Sequence, residues 1–154
     1  MPALDQWLAR YAGQNRRSDT AATWVIADEE QQVVGYVSLS MTAIDASAAP
    51  VALRRSAPTV IPALLVGRLA VDRRTQGMGV GTALVAHVLS TSVELQHKAA
   101  FRAILVDAID DAALRWWQRF GFVPLGSGDD YRLYLLSKDV VATLAVLQSG
   151  GTGT

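Results

Sequence analysis

The chain has no cysteine among its 154 residues. Disulfides, thiolate-bound metals and a cysteine nucleophile are thereby excluded, and nothing contradicts a reducing cytosol. It also has no net charge, because fourteen basic side chains balance fourteen acidic ones, so only local clusters can point to a charged partner. No apolar run approaches the roughly twenty residues of a membrane span, and the N-terminus lacks the charged-then-apolar pattern of a signal peptide. A soluble cytoplasmic protein is expected. Composition does not change along the chain, and 51% hydrophobic residues suit one domain with a sizeable core. We place that domain at residues 1–147 and expect 148–154, which end in SGGTGT, to be a disordered tail.

What is present is concentrated between Leu64 and Thr82, LLVGRLAVDRRTQGMGVGT. An apolar run with strand character, Leu64 to Val71, leads through a charged turn into Gly77, Gly79 and Gly81, and then into a long amphipathic helix. Glycines permit turns that a Cβ obstructs and leave amide N–H groups bare for an anion. The first turn of the helix adds unpaired N–H groups and the positive end of its dipole. Arg73 and Arg74 add two positive charges at the mouth. The stretch reads as a polyphosphate cradle. A P-loop needs a lysine after its last glycine, where this chain has Val80-Gly81-Thr82, and G-x-G-x-G fits the dinucleotide fingerprint poorly.

From the start, Leu4, Trp7, Leu8 and Tyr11 stand at helical spacing in residues 3–14. Arg10, Arg16 and Arg17 form a basic cluster there, either a solvated helix end or a nucleic-acid contact. Thr23 to Ala27 and Val33 to Ser40 read as a β-hairpin, with Val33, Gly35, Val37 and Leu39 on one side and Val34, Tyr36 and Ser38 on the other. From Thr42 to Pro62 the pattern dissolves into a long loop with a helical turn at Val51 to Arg55; the pair Arg54-Arg55 there either solubilises the loop or holds a phosphate backbone. After the glycine turn, Leu84, Val85, Val88, Leu89 and Val93 make one stripe of a helix that runs to about His97. His87 and His97 fall outside that stripe and read as surface residues. Ala103 to Val106 is a buried strand, and Asp110 or Asp111 caps the next helix. Its stripe is Ala112, Ala113, Trp116, Trp117 and Phe120, with Arg115, Gln118 and Arg119 opposite, and Gly121 ends it. Phe122-Val123-Pro124 starts a strand, Gly126 to Asp130 turns, Tyr131 to Leu136 is a closing strand, and Val140 to Leu147 is a short helix.

Arg74-Thr75-Gln76-Gly77-Met78-Gly79 resembles the acyl-CoA signature R/Q-x-x-G-x-G/A of the GNAT acetyltransferases. VDAIDDAALRWWQRFGFVPL is similar to their second signature, a strand, an Asx turn and a helix of the form A-x-x-F-Y-x-x-x-G-F. With ALDQWLARYAGQNRR, VVGYVSLS and LLVGRLAVDRRTQGMGVG, the likeness extends along most of the chain to one branch, the GNAT toxins of bacterial toxin-antitoxin modules. The resemblance implies an α/β (α+β) fold, a mixed, mostly antiparallel sheet flanked by helices. It implies acetyl-CoA as cosubstrate and no metal. Leu69, Ala70 and Val71 would hold the pantetheine arm, and Arg73, Arg74, Gln76, Gly77, Met78, Gly79, Val80, Gly81 and Thr82 the pyrophosphate, with Asp110 and Ala113 beside them. It implies transfer of acetyl to the α-amine of aminoacyl-tRNA, which blocks translation, with a ribbon-helix-helix antitoxin and a homodimer. On that reading Arg10, Arg16, Arg17, Arg54, Arg55 and Arg68 would gather around the acetyl end to hold tRNA.

Two departures from the family stand out. GNAT folds usually carry a strand before the first helix, whereas this chain starts at Met1-Pro2-Ala3, and that strand is expected to be absent. The Phe-Tyr pair is Trp116-Trp117, and the resemblance makes the tyrosine at position 117 the acid that protonates departing CoA. A thiol with a pKa of about 8.5 is within reach of a phenol with a pKa of about 10, but an indole N–H never gives up its proton at a relevant pH. Loss of the acid slows the reaction by roughly 10²- to 10⁴-fold without abolishing binding. Tyr36, Tyr131 and Tyr134 are other phenols whose place the sequence does not fix. Two further readings therefore stay open: a GNAT acting on a small amine or protein N-terminus, and an impaired CoA-binding or antitoxin-binding module.

Overall fold

The computed structural model describes residues 21–126 and 131–149. Six strands form one sheet in the order β1-β2-β3-β4-β6-β5: β1 (Ala22–Ala27), β2 (Val33–Asp45), β3 (Val60–Val71), β4 (Ala103–Asp107), β5 (Val123–Pro124) and β6 (Arg132–Leu136). Neighbours are antiparallel except β3 and β4. A parallel pair needs a crossover, and helix α2 (Val80–Gln96) provides it. A short α1 (Val51–Arg54) precedes β3, α3 (Asp111–Gln118) follows β4, and α4 (Ser137–Ser149) follows β6. The mixed sheet with flanking helices is the fold the sequence implied. The expected N-terminal helix, the expectation that a first strand is missing, most of the Gly126 to Asp130 turn and residues 150–154 of the tail lie outside the described residues.

The hairpin between β1 and β2 turns on Asp28, whose carboxylate accepts from the Glu30 and Gln32 N–H groups at 2.9 Å. At its end Ala27 pairs with Val33 but Ile26 with Gly35, which leaves Val34 as the extra residue of a bulge. The bulge overturns the side assignment made from simple alternation. Val33 is 52% exposed and Val34, at 2%, joins Gly35, Val37 and Leu39 in the buried set.

The stretch from Thr42 is also corrected. Met41 to Asp45 pair with Leu64 to Val60, so β2 and β3 extend each other and the connection shrinks to residues 46–59. The helical turn within it is α1, and Leu53 on that turn is fully buried. Helix α4 starts earlier than Val140 and runs to Ser149.

One face of the sheet, with Val37, Leu39, Leu64, Val66, Ile104 and Val106, packs on Leu84, Val85, Val88 and Leu89 of α2. The other face holds Ile44, Ile61, Ala63, Leu105 and Tyr134 against Leu53. Gly35 belongs to the first face, since a Cβ there would sit 3.0 Å from Val80 Cγ1. In α3, Trp117 is buried and Ala113 and Trp116 partly so, with Phe120 buried just past its end, whereas Ala112 is exposed, contrary to the periodic reading. Gly121, at φ +90°, ends that helical segment. His87 is corrected too. It is half-buried against Trp24, ring centroids 5.4 Å apart, and burial holds its pKa below the ordinary histidine value although Glu94 opposes the shift. His97 is exposed as expected. No described helix is long and apolar enough to cross a membrane.

Candidate active site

The site begins where two strands part. β3 is paired with β4 only from Ala63 to Val66, against Ala103 to Val106. Directly beyond, Leu39 pairs with Val66 but Ser38 with Arg68, so Gly67 is a bulge residue. Past that bulge β3 keeps only its β2 neighbours, Val37, Tyr36 and Gly35 opposite Leu69, Ala70 and Val71. Its other edge, unpaired with any strand among the described residues, borders a cleft of about 1070 Å³. An extended amide-bearing arm can bond to such an edge as a further strand does.

The floor of the cleft is the turn between β3 and α2. Asp72 caps it, accepting from Arg74 N–H at 2.8 Å and from the Arg74 guanidinium at 3.2 and 2.9 Å. The side-chain hydrogen bond from Arg74 is the main cause that lowers the Asp72 pKa to about 2. Gly77 and Gly79 take φ values of +84° and +87°, and Gly79 is the N-cap of α2. A Cβ on Gly77 would meet nothing within 4 Å, so this glycine is there for its backbone conformation. Gly81 is there for space. A Cβ on it would lie 2.9 Å from Trp116 Cζ2, so α3 packs tightly on the first turn of α2.

The far wall is the end of β4 and α3. Asp110 caps α3, accepting from the Ala113 N–H at 2.8 Å. Trp117 lines the cleft while only 6% exposed, edge-on to Trp116 and Phe122 at 5.0 and 5.1 Å between ring centroids. Asp107 also lines it, and Arg132 donates to both its oxygens, at 2.7 and 2.9 Å.

A scan with family models matches residues 19–124 to the acetyltransferase (GNAT) domain. The chain belongs to the GNAT acetyltransferase family. This GNAT chain is 33% identical over 143 residues, 93% of its length and 85% of the relative's, to the tRNA-acetylating toxin of Mycobacterium tuberculosis strain ATCC 25618 / H37Rv. Its fold matches a Tyr-to-Phe mutant of the AtaT toxin bound to the C-terminus of the antitoxin AtaR and acetyl-CoA. That match has a TM-score of 0.69 at 26% identity, over 82% of this chain and 74% of that one. It matches AtaT complexed with acetyl-methionyl-tRNAfMet with a TM-score of 0.74 at 24% identity, over 88% and 90% of the chains, a likeness of fold alone. As a GNAT member the protein is an acetyl-CoA-dependent N-acetyltransferase.

Of the residues singled out for the coenzyme, Leu69, Val71, Gln76, Gly77, Gly79, Gly81, Thr82 and Ala113 line the cleft, and Ala70, Arg73, Arg74, Met78, Val80 and Asp110 do not. Val80 points into the core. Arg74 leans back on Asp72 although its side chain is 71% exposed. Among the described residues the arginines lining the cleft are Arg68 and Arg119, and Arg73 and Arg74, expected at its mouth, stand outside that lining. Periodicity placed Arg119 opposite the apolar stripe of its helix, and from the C-cap it nevertheless lines the cleft while exposed. Of the arginines expected to gather for tRNA, Arg68 lines the cleft and the other described ones, Arg54 and Arg55, do not. Arg55 lies at a separate small pocket with Arg102 and Lys138, and Arg54 lines neither pocket. That pocket is at the opposite end of β4, roughly 16 Å from Asp107 at the rise of a strand. Arg10, Arg16 and Arg17 lie outside the described residues. Sequence reasoning missed Asp107 and Ile109, which is 88% exposed at the cleft, because nothing local distinguishes them from a loop.

Proposed function

We propose that the protein moves acetyl from acetyl-CoA to the α-amine of aminoacyl-tRNA, blocks translation, and is the toxin of a toxin-antitoxin pair in the bacterial cytoplasm. The observation that carries this reading is the 33% identity to a tRNA-acetylating toxin along nearly the whole chain. The coenzyme fits the cleft through the unpaired edge of Leu69 to Val71 and the positive-φ turn at Gly77 and Gly79 leading into α2. Bound there, acetyl-CoA supplies the activated acyl group. In this reading Gln76 to Thr82 take the pyrophosphate, with Arg73 and Arg74 nearby, and Arg68 meets the acceptor.

The chemistry of the cleft favours an α-amine over a lysine. Only a neutral amine attacks a thioester, and the described cleft offers no free base. Asp107 gives both oxygens to Arg132, and His87 lies against Trp24 instead. An α-amine with a pKa near 7.8 is about one-third neutral at pH 7.5, whereas a lysine amine is neutral only about once in a thousand. An acceptor of the first kind needs no base. A partner antitoxin, supported by the match to AtaT bound to the C-terminus of AtaR, completes the reading, and to it we add the ribbon-helix-helix type and a homodimeric assembly as the resemblance implies them. The test is cell-free translation with purified protein. Arrest that needs acetyl-CoA and is absent with CoA supports the proposal; undisturbed translation with acetyl-CoA overturns it.

A further inference from the structure

With tryptophan at position 117, the thiolate that leaves in acetyl transfer needs its proton from another group. Two of the described tyrosines are committed elsewhere. Tyr131 donates to Asp111 Oδ1 at 2.9 Å outside the cleft, and Tyr134 is buried in the core on the α1 side of the sheet. Tyr36 is different. It is half-buried, it lines the cleft, and its hydroxyl makes no hydrogen bond to any described residue.

Its place follows from register. Gly35 faces α2, so Tyr36, one residue on, faces the opposite side of the sheet. Its partner is Ala70 on β3, a strand whose far edge borders the cleft that Tyr36 lines. Ser38 and Arg68 are the next pair on the same face. Trp117 and Phe120 pack on the α2 side, so Tyr36 reaches the cleft from the side opposite the indole.

We propose that Tyr36 is the proton donor to the departing thiol, replacing the helix tyrosine from across the sheet. The acceptor nitrogen attacks the thioester carbonyl carbon, the C–S bond breaks with its electron pair on sulfur, and sulfur takes the proton from Tyr36 Oη. The surplus proton on nitrogen returns to the phenolate, so one amide and one thiol leave and the enzyme is unchanged. This inference rests on acetyl-CoA in the cleft and not on which amine accepts.

The test pairs turnover with a binding measurement that involves no reaction. Tyr36→Phe is expected to lower kcat by about 100-fold or more, and Tyr36→Phe combined with Trp117→Tyr to regain at least part of that loss. By calorimetry, CoA should bind Tyr36→Phe several-fold more weakly than wild type, while desulfo-CoA, which lacks the sulfur, binds both alike. Unchanged kcat, or an unchanged preference for CoA over desulfo-CoA, overturns the proposal. Loss of desulfo-CoA binding in Tyr36→Phe makes the residue structural and overturns it too. A wild type that ignores charged tRNA yet prefers CoA through Tyr36 would refute the tRNA reading and leave this one standing.

Discussion

Gly77 and Gly81 occupy the same motif for opposite reasons, and substitution separates them. Gly77→Ala adds a methyl group to open space but keeps φ +84°, a strain of about 1 kcal/mol. Gly81→Ala drives a methyl group to within 2.9 Å of Trp116, and such overpacking costs about 1–3 kcal/mol. Denaturation should show both losses, and only Gly81→Ala should be relieved by Trp116→Leu. At the same scale, His87 ties stability to pH. Burial keeps it neutral in the fold, so just below pH 6.5 the unfolded chain binds the proton that the native state refuses. Stability is therefore full above pH 6.5 and falls on acidification below it. The thermal midpoint should drop between pH 7 and 5, and His87→Gln should flatten that drop.

At the scale of elements, the strands and helices were legible wherever a side chain's surroundings repeat with the chain's own period. The stripe of α2 and the buried β4 are of that kind. Bulges break the period, and no residue type announces them. Val33 and Val34 are the same amino acid, yet the bulge sends one to solvent and the other to the core. Val34→Ala should cost about 2 kcal/mol and Val33→Ala less than about 0.5 kcal/mol in denaturant unfolding. The second bulge, at Gly67, lies where β3 turns from a core strand into a cleft wall, and a GRLAV run seen alone gives no sign of it. The far ends of β2 and β3 were missed for a different reason: Met41 to Asp45 do not alternate, and pairing with Val60 to Leu64 is what makes them a strand. The glycine turn was legible because conformational demand restricts it to few residue types. The rest of the cleft lining was not, because Asp107, Ile109 and Tyr36 come from separate elements that only the sheet brings together.

At the scale of the molecule, a neutral chain must meet a polyanion through a local surface. The described cleft offers Arg68 and Arg119, while Arg55, Arg102 and Lys138 gather at the other end of β4. If phosphates are held, activity on charged tRNA should fall steeply between 50 and 200 mM salt, about tenfold or more. Arg68→Ala should weaken activity and shallow the slope, with acetyl-CoA affinity unchanged. A flat salt response would count against a tRNA substrate. The most direct measurement is incubation of the purified protein with labelled acetyl-CoA and a bulk pool of charged tRNA, followed by detection of acetyl groups on the aminoacyl ends. The account predicts label on charged tRNA and none on deacylated tRNA. Absence of label from charged tRNA, in protein shown separately to bind acetyl-CoA, would contradict it.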